Sequence, residues 1–160
     1  MMHINLLKAE KKDVLILLEV QKLAFKPLYE IYHDEQSPYL HTTADMQARM
    51  DMPGSDCYKI LLDETIVGVV RIVQHNPTRF QLVSVSILPE YQNRGIAQKA
   101  IALAESLYPE AQTWSLDFPI DRPMNKKCYE NLGYRDTGRR ERINERLTLA
   151  FYEKSVSMRA

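Results

Sequence analysis

The residues best suited to chemistry stand in one short stretch, "ILPEYQNRGIAQKAI" (87–101). Pro89 has no amide proton, so it cannot extend a sheet ladder, and it biases Leu88 toward an extended conformation. A strand ending there leaves backbone groups available to a ligand. Beyond it, the amides around Gln92, Asn93, Arg94, Gly95, Ile96 and Ala97 stand at the start of a helix. Partial positive charge and unbonded donors at such an end make a natural seat for a phosphate or diphosphate. Gly95 lets an anion approach the backbone closely, and Ala97 keeps the next position small. The same residues also suit a plain strand-to-helix turn in which the glycine serves geometry alone. Neither GxGxxG nor GK[ST] is present, which disfavours a Rossmann dinucleotide site and a P-loop. Farther along, Asn125 and Tyr129 lie four apart and share one face of a helix.

The elements that must position these residues are legible from periodicity. "HINLLKA" (3–9) reads as a first strand, and Val14, Leu17, Leu18, Ala24 and Phe25 form a helical stripe that Pro27 disturbs. The segment 29–41 is polar, aromatic and loop-like. Thr42 and Asp45 resemble a capping box opening a helix through Met50, which Pro53 and Gly54 close. "CYKILL" (57–62) and "TIVGVVRIV" (65–73) flank Asp63-Glu64 as a hairpin, and "RFQLVSVSIL" (79–88) is a third strand. A helix follows from Gly95, with Ile96, Ala100, Leu103 and Leu107 on one face. "TWSLDF" (113–118) is a strand and "RPMNKKCYENLGY" (122–134) a helix, with proline and glycine at its two ends. "ERLTLAFYEK" (145–154) is a last strand. This order predicts an α/β protein with a central mixed sheet and helices on both faces.

A chain of 160 residues suits one domain, 1–160. Lys+Arg and Asp+Glu are 21 each, so no global field recruits nucleic acid or an anionic membrane. The longest aliphatic run, Val14 to Leu18, is far too short to span a bilayer, and the N-terminus does not read as a signal peptide. The expected location is the cytoplasm. Cys57 and Cys128 lack metal-ligand spacing and are expected to be reduced, with no metal bound. His41 and His75 read as surface residues, and "GRRERINER" (138–146) as a solvated connection.

The stretch 87–101 resembles motif A of the GNAT family, the GCN5-related N-acetyltransferases. That pattern is Gln/Arg-x-x-Gly-x-Gly/Ala after a strand ending in Val/Leu/Ile-x-Pro, with Gln92, Gly95 and Ala97 at its defined positions. "NKKCYENLGY" (125–134) is similar to motif B, and the element order matches the family's from first strand to last. The resemblance implies a GNAT acyltransferase fold with acetyl-CoA as co-substrate. It implies that the backbone of Ile87 and Leu88 pairs with the pantetheine arm. Gln92 to Ala97, with Arg94, would hold the diphosphate, Asn125 would bond the arm, and Tyr129 would stand near the sulfur.

Acetyl transfer to an amine needs a deprotonated nucleophile, donors for the developing oxyanion and a proton for the departing thiolate. Tyr129 is the candidate acid. Many family members carry a glutamate on the strand before motif A, whereas 80–88 offers only Gln81, Ser84 and Ser86 as polar side chains. The base is therefore open between a water chain, Asp117, Glu30 and His33. Tyr29, Glu30, Tyr32, Asp34 and Tyr39 form an acidic and aromatic group suited to a cationic amine, or else a solvated loop. The expected partner is a small-molecule or peptide amine, the expected assembly a monomer or homodimer. The missing glutamate keeps a second reading in view, a non-catalytic CoA-binding sensor or partner-binding module.

Overall fold

The computed structural model describes residues 3–156; the ends of the 1–160 reading, 1–2 and 157–160, lie outside them. The elements run β1 (Ile4–Lys8), α1 (Val14–Tyr32), α2 (Thr43–Asp51), β2 (Ser55–Leu62), β3 (Thr65–Asn76) and β4 (Arg79–Ile87). They continue with α3 (Ile96–Ser106), β5 (Thr113–Pro119), α4 (Pro123–Asn131), β6 (Arg135–Arg142) and β7 (Thr148–Ser155). One seven-stranded sheet has the order β1-β2-β3-β4-β5-β7-β6. Every adjacent pair is antiparallel except β4 and β5, which are parallel.

Alternation along β3, shifted once by a bulge at Val67 opposite the Ile60–Leu61 step, divides the interior between the two faces. Val67, Val70 and Ile72 join Phe80, Ile101 and Trp114 in the main core, which α3 covers. Val69 turns to the other face and packs with Val14 and Leu17 of α1 and Met46 of α2. Asp63, at φ 54°, sits in the two-residue turn between β2 and β3. Thr42 and Asp45 form the expected capping box at the start of α2. Gly68 is required by closeness: a Cβ there would lie 2.2 Å from the Ser86 carbonyl oxygen of β4.

Three expectations need correction. α1 continues through Pro27 to Tyr32, so Tyr29 and Glu30 occupy its last turns and not a loop. Pro27 lies on the exposed side, where water can satisfy the carbonyl that loses its partner. The mixed-charge run 138–146, expected as a solvated connection, instead begins within the edge strand β6, all of whose residues are exposed. With no apolar face, it carries no period-two signal. On α3, the buried residues are Ile96, Ala100, Ile101 and Ala104, while Leu107 is exposed.

Candidate active site

The parallel neighbours β4 and β5 pair only over Arg79–Gln81 and Thr113–Ser115. Beyond that point they diverge, leaving the facing edges of two strands without each other's hydrogen bonds. A bulge on β4 sits at the divergence: Ile72 pairs with Leu82 and Arg71 with Ser84, so Val83 is the extra residue. At the far end, the Leu88 amide donates to the Val67 carbonyl at 2.8 Å. Antiparallel alternation then turns the backbone groups of Val85 and Ile87 toward the cleft. Leu88 was expected to offer its backbone alongside Ile87, but its amide belongs to the β3–β4 ladder.

The turn after β4 is built around Pro89. A short 3-10 helix, Pro89–Tyr91, uses the amides of Tyr91 and Gln92, which donate to the carbonyls of Leu88 and Pro89. The Gln92 side chain donates from Nε2 to the Ile87 carbonyl at 2.9 Å. Gln92 thus braces the strand end against the turn, and the group of free donors begins one residue later than expected. Asn93 and Gly95 both adopt positive φ, 63° and 78°. No side chain caps α3, and among the described residues the amides of Asn93, Arg94, Gly95, Ile96 and Ala97 meet no protein acceptor. A Cβ on Gly95 would meet nothing within 4 Å, so the backbone is approachable from outside. The Arg94 guanidinium lies 5.5 Å from the Tyr91 ring centre.

β5 and α4 bring two further candidates together. The Tyr129 ring packs on Phe118 with centres 5.1 Å apart, and its hydroxyl has no protein hydrogen-bond partner among the described residues. Burial pushes its phenol up, and the nearby Cys128 and Asp117 add to the effect. Asp117 projects from the opposite side of β5 to the buried Leu116 and Phe118. Burial raises its carboxyl pKa, Glu141 raises it further, and Arg139 opposes. Asn125, on the same helix as Tyr129, is half-buried and has no side-chain partner among the described residues. On β4 the Ser86 hydroxyl is buried without a partner, a feature periodicity could not reveal.

The aromatic group near α1 divides by role. Tyr29 stacks on Tyr39 with centres 5.2 Å apart, and Glu30 is exposed. The loop carrying Tyr39 is strapped to α1 by Gln21 donating to the Pro38 carbonyl and Lys22 to the Tyr39 carbonyl. Tyr32 was grouped with the acceptor residues, but it is buried and structural. Its hydroxyl donates to Asp121 at 2.5 Å and accepts from Arg122 at 3.0 Å, tying the end of α1 to the loop before α4. His41 is half-buried and not a surface residue. The Gln21 amide lies 3.0 Å from its Nδ1, and burial with nearby Arg49 lowers its pKa. Cys57 is buried, Cys128 half-buried, and both are free thiols. Among the described residues no cluster of three metal-ligating side chains occurs, and no helix is long and apolar enough to cross a membrane.

The family model described as Acetyltransferase (GNAT) family matches residues 19–134. Comparison with curated protein sequences gives no match. Among solved structures, spermidine N-acetyltransferase from Vibrio cholerae, in complex with CoA and spermine, is similar at TM-score 0.78 and 16% identity, over 95% of each chain. The ribosomal-protein-S18-alanine N-acetyltransferase from Escherichia coli is similar at TM-score 0.78 and 12% identity, over 99% of this chain and 97% of that one. PaiA N-acetyltransferase from Thermoplasma acidophilum, in complex with coenzyme A, is similar at TM-score 0.72 and 17% identity, over 97% of this chain and 100% of that one.

Proposed function

The chain belongs to the acetyltransferase (GNAT) family, and from that premise we propose that it transfers the acetyl group of acetyl-CoA directly to a primary amine of a small molecule or peptide, both substrates being held at once. The observation that carries this reading is the cleft between β4 and β5, which opens onto unbonded amides at the start of α3. These features fit acetyl-CoA: free donors for a diphosphate, a strand edge for an arm rich in amides, and Gly95 approachable from outside. When bound, acetyl-CoA supplies an activated thioester.

In this reading the amides of Asn93 to Ala97 hold the diphosphate, with Arg94 adding charge. Val85 and Ile87 offer main-chain partners along the strand edge, and Asn125 offers its side-chain amide. Gln92 acts as a positioning residue through its bond to Ile87. Tyr129 holds the proton for the departing sulfur, because its half-buried phenol, pushed up by desolvation, stays protonated at neutral pH. The incoming amine is a cation at neutral pH, with a reference pKa of about 10.4, and must lose a proton. Asp117, a carboxylate with raised proton affinity near Tyr129, is the acceptor for that proton. Tyr29, Glu30 and Tyr39 border the amine's approach. The named activities of the spermidine and ribosomal-protein relatives, both amine acetylations, support the reaction class.

A thiol-release assay with acetyl-CoA against amines, polyamines, amino acids, peptides and aminoglycosides tests the reading. Saturable release with at least one acceptor is expected. Tight CoA binding without release for any acceptor would favour a non-catalytic CoA-binding module.

A further inference from the structure

On the face of the sheet covered by α1 and α2 lies a small cavity of about 20 Å³, walled largely by the apolar Met46, Val69 and Cys57, with Gln21, His41, Arg49, Arg71 and Ser84 also at its border. Two arginines border it and no carboxylate does. Arg71 is half-buried; its Nε donates to Ser55 Oγ at 2.8 Å, and a terminal nitrogen lies 3.6 Å from the Met52 sulfur. Arg49 donates to the Asp45 carbonyl oxygen at 3.3 Å. These partners are neutral, and neither arginine takes part in an ion pair among the described residues. The nearby acids are turned to other tasks: the Asp45 carboxylate caps α2, and Asp56 accepts from Tyr108 and pairs with Lys8. Guanidinium groups drawn partly out of water without an anion are costly, and the pocket supplies no anion of its own.

Its position gives this charge a use. Arg71 pairs across the sheet with Ser84, next to the Val83 bulge and close to Gln81, where β4 and β5 stop pairing. In the acetyltransferase reading above, an arm entering from the start of α3 and following β4 backwards would end near this point. We propose that the pocket seats the carboxylate of the acceptor, and that the acceptor is a small amino acid carrying its amine and carboxylate in one molecule. This inference rests on the acetyltransferase reading above. A planar guanidinium matches a carboxylate through paired hydrogen bonds. The cavity, about 20 Å³, has room for a water-sized group such as the leading oxygen of a carboxylate.

The test compares amino acids with their own carboxamides as acceptors, in wild type, Arg71→Gln and Arg49→Gln, with thermal melts to show that each variant is folded. The wild type is expected to prefer the carboxylate member of at least one pair by ten-fold or more in kcat/KM. Arg71→Gln should bring that preference near parity, and Arg49→Gln should reduce it. Equal use of both members by the wild type, or a preference surviving both substitutions, would overturn the proposal while leaving acetyl transfer intact. If no acceptor releases thiol, calorimetry on CoA-loaded protein decides. Amino-acid binding that is lost in Arg71→Gln supports the pocket although the catalytic reading has failed, and no binding of any amino acid overturns the pocket as well.

Discussion

At the scale of single residues, the account rests on two side chains with matched electrostatics. Tyr129 has its phenol held protonated by burial and by neighbouring Cys128 and Asp117. Tyr129→Phe keeps the ring packing on Phe118 and removes the proton. A fall in kcat of about ten-fold or more is expected, with CoA affinity unchanged by calorimetry. Asp117 has its carboxyl shifted upward, chiefly by burial. A raised carboxyl favours the folded state most fully at pH values below the unfolded pKa, and that contribution is lost as pH rises through the folded value. Asp117→Asn is therefore expected to be at least as stable as wild type at neutral pH in urea unfolding, yet slower in turnover. The acid limb of the wild-type pH–rate profile should lie above the ordinary carboxylate range and vanish in this variant. A limb that persists would remove Asp117 from the role of base.

At the scale of elements, the cleft depends on how helices are fixed to the sheet. Lys59 of β2 and Asp13, at the start of α1, form a 3.1 Å ion pair whose side chains are only 15% and 10% exposed. Burial acts to raise the Asp13 carboxyl, but the Glu10 amide and Lys59 together bring it below its usual range. This stability is present above the unfolded pKa and is lost as pH falls through the folded one. Asp13→Asn leaves Lys59 largely buried and alone, and a loss of about 3–5 kcal/mol is expected at pH 7 by urea unfolding. The gap between variant and wild type should narrow below about pH 4. Elements with local signals could be read from the chain alone: the Thr42 cap, the Asp63 turn and the glycine before α3. β6 was illegible because its residues are exposed on both faces, and the end of α1 because Pro27 happens to face water.

At the scale of the molecule, the sheet is a single surface opened at one place. Four strands on one side of the opening, β1 to β4, and three on the other, β5, β7 and β6, meet through the short parallel β4–β5 pair. This brings the start of α3, the end of β5 and the face of α4 around one cleft, although they come from distant parts of the chain. The parts within 87–97 could be anticipated because proline, glycine and free amides are local properties. The unpartnered Ser86 hydroxyl and the arginine pocket could not, because each depends on what a distant strand or helix brings near. The most direct measurement is the crystal structure of the protein with coenzyme A. The account predicts diphosphate oxygens within hydrogen-bonding distance of amides between Asn93 and Ala97, with the arm along Val85 and Ile87 and the sulfur beside Tyr129. A diphosphate bound elsewhere, with those amides facing only water, would contradict it.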